Sequence, residues 1–252
     1  MEIKIAHLQN NKLRIMEKIN GKKVMVVGGS SGIGLATAKQ AKAEGAIVTI
    51  LGYNPDQTKL IAEENEFNWR VADVTKQETI YETLSDVQQV DHLVLLAGTF
   101  VAGPILNADI TYLHKAFDER IWGSLHIIRA LGTRLSSNAS ITFTSGVLAD
   151  RPVPGMAILA AASSAVEALV RGLCLELAPR RVNAVSPGTT DSPLLAKSLG
   201  ADREIFINSV KDKLPLKRIA TPDQVASAIL FLMTNEIMTG ETIHVDGGQR
   251  LV

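Results

Sequence analysis

One cysteine occurs in 252 residues. Cys174 has no second thiol to pair with and no metal-ligand spacing around it, which excludes a disulfide framework and a thiolate metal site. Inside an apolar stretch it reads as a small buried hydrophobe. Net charge is missing as well, since 26 Lys plus Arg balance 26 Asp plus Glu. No basic field exists to attract phosphate backbones, and nucleic acid is not an expected partner. Long hydrophobic runs are also lacking. The longest uncharged apolar run, 93–106, is broken by glycines and a proline and falls short of the roughly 20 residues of a bilayer span. No membrane segment is expected. The mixed polar N-terminus lacks the apolar core and small-residue cleavage site of a secretory signal, so the expected location is cytoplasmic. The five histidines form no H-E-x-x-H or similar cluster, and no metal is expected. Repeats, low-complexity tracts and Pro/Gly/Ser-rich linkers are absent too. The length then predicts one domain over 21–252, preceded by an N-terminal extension over 1–20.

What is present alternates. "KKVMVVGG" is a β-branched run ending in glycine, and "GIGLATAKQAKAEG" follows as a helix stopped by Gly45. "AIVTILG" reads as a strand, "NPDQTKLIAEENE" as a helix opened by Asn54 and Pro55, and "WRVADVT" as a strand. "KQETIYETLSDVQQ" is the next helix and "DHLVLLAG" the fourth strand. Residues 111–134 read as one long helix, "SITFTSG" as a fifth strand, 155–177 as a helix, "RVNAVSPG" as a sixth strand and "ETIHVDGG" as the last. Parallel crossovers need helix-length connections, so this alternation predicts a parallel sheet of about seven strands with helices on both faces. That is a single doubly wound α/β domain of Rossmann type.

"VVGGSSGIG" places Gly28, Gly32 and Gly34, with Ser30, Ser31 and Ile33 between them, at the junction of first strand and first helix. Such a turn brings backbone close to a pyrophosphate while the helix N-terminus offers free N–H groups to it. The G-x-x-x-G-x-G spacing, with Val27 where a threonine is usual, resembles the short-chain dehydrogenase/reductase family. "ADVT", "LLAG", "RVNAVSPGTTDSP" and "MTGETIHVDGG" match in order. The resemblance covers 21–252 and implies an oxidoreductase acting on a small organic substrate with NAD or NADP. It assigns Asp73 and Val74 to the adenine edge and Ala97 and Gly98 to the adenosine ribose. Pro187, Gly188, Thr189 and Ser192 then line the nicotinamide. Asp73 also suits an ordinary helix N-cap. The second strand ends in Gly52, Tyr53 and Asn54, neither acidic nor basic. Without a carboxylate to repel a 2′-phosphate, and with Ser30, Ser31 and Asn54 able to donate to it, NADP is preferred over NAD. The resemblance also implies a homodimer or homotetramer, paired through the helices after the fourth and fifth strands.

The family's catalytic group is a serine, a tyrosine, a lysine four residues after it and an asparagine. The tyrosine is the general acid, and the ammonium one turn away lowers its pKa from about 10. Here the "AVEAL" register puts Leu159 at the tyrosine and Ser163 at the lysine, and no Tyr or Lys occurs between Ser145 and Val185. Arg120 falls at the asparagine. Ser145 remains, either as a catalytic group or as a loop serine bonded to backbone. Arg120 holds its protons too tightly for acid catalysis, but it can replace the lysine's charge. Tyr112, His114 and Lys115 are expected at the surface, and Asp150 and Arg151 as a solvated loop pair. Two readings remain open. One is an oxidoreductase whose acceptor, such as a conjugated enone or an iminium, needs little acid help. The other is a dinucleotide-binding protein without turnover, as a regulatory subunit or cofactor sensor.

Overall fold

The computed structural model of the protein describes residues 19–252. Seven strands form: β1 Lys23–Val27, β2 Ile47–Gly52, β3 Asn68–Val71, β4 Val90–Leu95, β5 Leu135–Thr144, β6 Arg181–Pro187 and β7 Thr242–Val245. All neighbours pair in parallel, in the order β3-β2-β1-β4-β5-β6-β7. The chain winds outward one way from β1 to β3, then crosses back to β4 and winds the other way. A crevice therefore opens outside the carboxyl ends of β1 and β4.

The connections are α1 Gly32–Ala43, α2 Pro55–Asn65, α3 Gln77–Thr83, α4 Ile110–Phe117, α5 Gly123–Leu131, α6 Ala157–Glu176, α7 Pro193–Leu199, α8 Arg203–Lys211 and α9 Pro222–Thr234. Alternation along β1 shows how they are distributed. Val24 and Val26 pack with Ala38 and Ala41 of α1 and Val225 and Ile229 of α9. Met25 and Val27 join the opposite layer, with Ile127 and Leu131 of α5 and Val166 and Val170 of α6. Both faces are thus covered, as a parallel sheet requires. Among the described residues α6 is the helix long and apolar enough to match a membrane span by composition, at mean hydropathy 1.6. Its Val166, Val170 and Leu173 lie against the sheet.

Several boundaries differ from expectation. Strand β5 begins at Leu135 rather than at Ser140, and α3 stops at Thr83. Leu84, just beyond α3, is fully buried. The helix expected over 111–134 is broken into α4, a π-helical turn at Asp118–Trp122, α5 and a 3₁₀ turn at Gly132–Arg134. At the second break Gly123 presses on the loop after β3, where a Cβ would stand 2.9 Å from the Val74 carbonyl oxygen. The wider π turn aims its side chains differently from a regular helix, and such turns are frequent at functional sites. The N-terminal boundary also shifts. Ile19 is fully buried in the core with Val24 and Val26, so the domain includes it, ahead of the expected start at Gly21. The rest of the predicted extension, 1–18, lies outside the described residues. Cys174 is half-buried rather than enclosed.

Candidate dinucleotide and hydride-transfer site

The turn after β1 is built on close approach. Gly28 has φ +80°, and a Cβ there would stand 3.0 Å from the carbonyl carbon of Leu96 and 3.1 Å from the nitrogen of Ala97. The chain ends of β1 and β4 are thereby pressed together at the crevice. Gly34 seats α1 on the turn: a Cβ would stand 2.1 Å from the Gly28 carbonyl oxygen. Gly32 has φ +52°, and a Cβ there would make ordinary contact with Pro193 Cδ and Ser192 Cβ, each 3.7 Å away. Ser31 is the N-cap of α1, and its hydroxyl makes no capping bond. The first amides of α1 and that hydroxyl form a ready anion site. Ile33 packs against the core behind them.

At the end of β2, Tyr53 is 75% exposed, with no acidic side chain beside it in sequence. Asn54 caps α2, its Oδ1 accepting from the Gln57 amide at 2.9 Å. That leaves the Asn54 amide N–H groups as donors. Asp73 does not cap α3, whose N-cap is Lys76. Instead its Oδ1 accepts from the Thr75 amide at 3.0 Å and the Thr75 hydroxyl at 2.7 Å, fixing a tight turn beyond β3. Val74 and Ala97 pack against the sheet layer holding α5 and α6.

The loop after β6 is fastened from the far end of the chain. Gly188 donates to the Val245 carbonyl at 3.1 Å, and the Thr189 amide donates to Gln249 Oε1 at 2.7 Å. Asp246 accepts from the amides of Gly248 and Arg250, each at 2.9 Å. Arg151 Nε donates to the Val252 carbonyl at 2.8 Å, and Asp150 lies 3.2 Å from Nε2 of His244 in β7, so this loop pair is engaged with the end of the sheet and the tail rather than simply solvated. Pro187 closes β6, and Ser192 caps α7 by accepting from the Leu195 amide. The loop is held as a fixed wall opposite the glycine turn.

At the catalytic positions the structure brings Ser145, Leu159 and Ser163 together between β5 and α6. Leu159 is buried with Val101, Leu113, Ala116 and Ala162, so an apolar cluster fills this position. The Ser163 hydroxyl turns back to its own helix and donates to the Leu159 carbonyl at 2.9 Å. Ser145 Oγ lies 2.7 Å from Glu167 Oε1 and 3.1 Å from the Ser163 carbonyl. Glu167 was not anticipated from sequence. Its signal was position alone, one helical turn after Ser163 and two after Leu159 on one face of α6.

Arg120 lies in the π turn against the loop after β4. Its Cζ would be 2.9 Å from a Cβ on Gly98, and its Nη2 donates to the Thr99 carbonyl at 2.7 Å. Neighbouring Glu119 accepts from the Thr99 amide at 2.5 Å. Nη1 is buried with no partner among the described residues. Burial pulls the guanidinium below its ordinary pKa, and the Glu119 charge opposes that shift. Tyr112 is more than a surface residue: its hydroxyl donates to the Phe100 carbonyl at 3.2 Å.

A seven-stranded parallel sheet with a glycine turn at its switch point defines a Rossmann-type domain. A family profile described as enoyl-(acyl carrier protein) reductase matches residues 27–250. The short-chain dehydrogenase/reductase malC of Malbranchea aurantiaca is 31% identical, over 94% of this chain and 98% of its own. The short-chain dehydrogenase/reductase ATR9 of Stachybotrys chlorohalonatus is also 31% identical, over 92% and 98%. This chain belongs to the short-chain dehydrogenase/reductase family. A solved structure described as the MalC reductase/Diels-Alderase of Malbranchea aurantiaca superposes with TM-score 0.88 at 27% identity, over 94% of this chain and all of that one. A small-chain dehydrogenase solved in complex with NADPH gives 0.81 at 31% identity, over 92% and 100%.

Proposed function

We propose that this chain is a hydride-transferring oxidoreductase that uses NADPH in preference to NADH and acts on a small acceptor needing no phenolic acid. The observation that carries the reading is a close-packed glycine turn at the switch point of the sheet, in a chain whose helix α6 holds neither Tyr nor Lys. The cradle fits the cofactor in three respects. A Cβ at Gly28 or Gly34 would collide with the backbone that shapes it, the Ser31 hydroxyl at the α1 N-terminus makes no capping bond, and Arg120 Nη1 is buried without a partner among the described residues. When bound, the cofactor supplies a hydride and nothing else. Gly28 to Gly34 take the pyrophosphate, Asp73 and Val74 flank the adenine, and Ala97 and Gly98 adjoin the ribose. Pro187 to Ser192 wall the nicotinamide. Ser30, Ser31 and the Asn54 amide donate to a 2′-phosphate that no carboxylate repels. The relative solved with NADPH supports that preference.

The missing acid restricts the acceptor. Hydride addition to a ketone leaves an alkoxide that requires a donor as charge develops. Leu159 and Ser163 offer none: one is apolar and the other's proton is spent on its own helix. Consumption of NADPH with an enone or an iminium, and not with simple ketones, is the expected result. NADPH binding with no turnover on any of the three would favour the cofactor-sensing reading, and no binding of either dinucleotide would overturn both.

Arg120 is assigned the lysine's place beside the nicotinamide ribose. Replacing it with methionine removes one charge-assisted hydrogen bond and should weaken NADPH binding about tenfold, by fluorescence titration. An unchanged Kd would remove Arg120 from the site.

A further inference from the structure

We propose that Glu167, acting through Ser145, selects a cationic C=N acceptor, an iminium ion, over neutral carbonyl and enone acceptors. The proposal rests on the oxidoreductase reading and names its substrate class. A serine hydroxyl has one proton, and both partners within reach of Ser145 Oγ are acceptors: Glu167 Oε1 at 2.7 Å and the Ser163 carbonyl at 3.1 Å. The Ser163 hydroxyl is given to Leu159 and does not donate back. The shorter, charge-assisted bond takes the proton. Ser145 then presents only lone pairs. Such a hydroxyl cannot donate to a carbonyl oxygen, which is what a ketone or the developing oxyanion of an enone needs.

The polarity of the position is therefore reversed from that of a carbonyl reductase. Where an ammonium would stand, Ser163 is neutral, and one turn further along α6 stands a carboxylate. Arg120 has its counter-charge beside it in Glu119 and is bonded to the Thr99 carbonyl. An iminium matches this arrangement and balances without a proton. The hydride forms a C–H bond at the iminium carbon, the π pair passes to nitrogen, and the products are a neutral amine and the oxidised nicotinamide.

The charge disappears as the hydride arrives, so the carboxylate favours the bound substrate more than the transition state. Its loss should therefore raise KM and raise kcat rather than lower it. The probes are the N-methylisoquinolinium cation and its neutral lactam relative, 2-methylisoquinolin-1-one, titrated by fluorescence against the protein loaded with NADP+. The wild type should bind the cation at least about tenfold more tightly than the lactam. Glu167→Gln should erase that difference, and Glu167→Asp should keep most of it. With NADPH and N-methyl-3,4-dihydroisoquinolinium, Glu167→Gln should raise KM about tenfold and raise kcat severalfold, so that kcat/KM falls by less than KM rises. Equal affinity of the wild type for cation and lactam overturns the proposal, and that comparison needs no variant to fold. Retained preference in a folded Glu167→Gln protein overturns it as well. A protein that fails to take up NADP+ at all instead overturns the oxidoreductase reading beneath it.

Discussion

Gly34→Ala should raise the Kd for NADPH by about 100-fold or more and destabilise the fold by about 3 kcal/mol. A Cβ at this position would stand 2.1 Å from the Gly28 carbonyl oxygen, 2.8 Å from the Gly28 carbonyl carbon and 3.0 Å from Gly29 Cα. All three are backbone atoms, with no rotamer to move out of the way. Helix α1 must lift from the turn, which separates its first amides from the place where the pyrophosphate belongs. Gly172→Ala is the control. It lies within α6 with nothing within 4 Å of its would-be Cβ, and removing the flexibility of a helical glycine should stabilise the protein by up to about 1 kcal/mol. Thermal unfolding and fluorescence titration of the two variants read both effects. Gly34→Ala protein with wild-type affinity would show that this turn does not hold the cofactor.

The second large effect lies at the opposite ends of the strands. His92, near the start of β4, is buried, with Nδ1 2.7 Å from the hydroxyl of Ser140, its register partner on β5. Its Nε2 has no partner among the described residues. Burial, opposed by Asp91 but aided by the charges of Arg181 and Lys22, lowers its pKa to about 4. The folded protein therefore keeps His92 neutral while the unfolded chain takes up a proton near pH 6.5. Stability from this residue is full above about pH 6.5 and falls as pH drops toward 4, by about 3 kcal/mol in all. Nearby Asp91 acts at lower pH. Burial raises its pKa, but bonds from the Lys23 amide, Ser136 and Gln89 outweigh that and hold it below the usual carboxylate range. Urea denaturation at pH 7 and pH 4.5 is the measurement. His92→Asn, which keeps a polar partner for Ser140, should lose about 2 to 3 kcal/mol of the wild type's pH dependence. An equal pH dependence in both proteins would place the acid sensitivity elsewhere.

The sheet was legible because each strand is a short β-branched run stopped by glycine or a polar turn, and each crossover is long enough for a helix. The glycine turn was legible because close backbone approach permits few residue types. The π turn at Asp118–Trp122 left no comparable mark. Its placement depends on Gly123 meeting Val74, and those residues are far apart in the chain. Asp73 looked like a helix cap because Asp is favoured there, yet Thr75 claimed its side chain first. Reading Leu159 and Ser163 against the family pattern showed what the helix lacks. The partner that Ser145 finds in Glu167 required the fold, since β5 and α6 meet only in three dimensions.

The last residues of the described chain look like a tail and act as a latch. Gln249 holds the Thr189 amide, Asp246 shapes the turn that positions Gln249, and Val252 ties down Arg151. Cutting the chain back before Gln249 would thus be a mutation of the loop proposed to wall the cofactor, made sixty positions away in sequence. Anyone shortening this protein would release the loop after β6 as well.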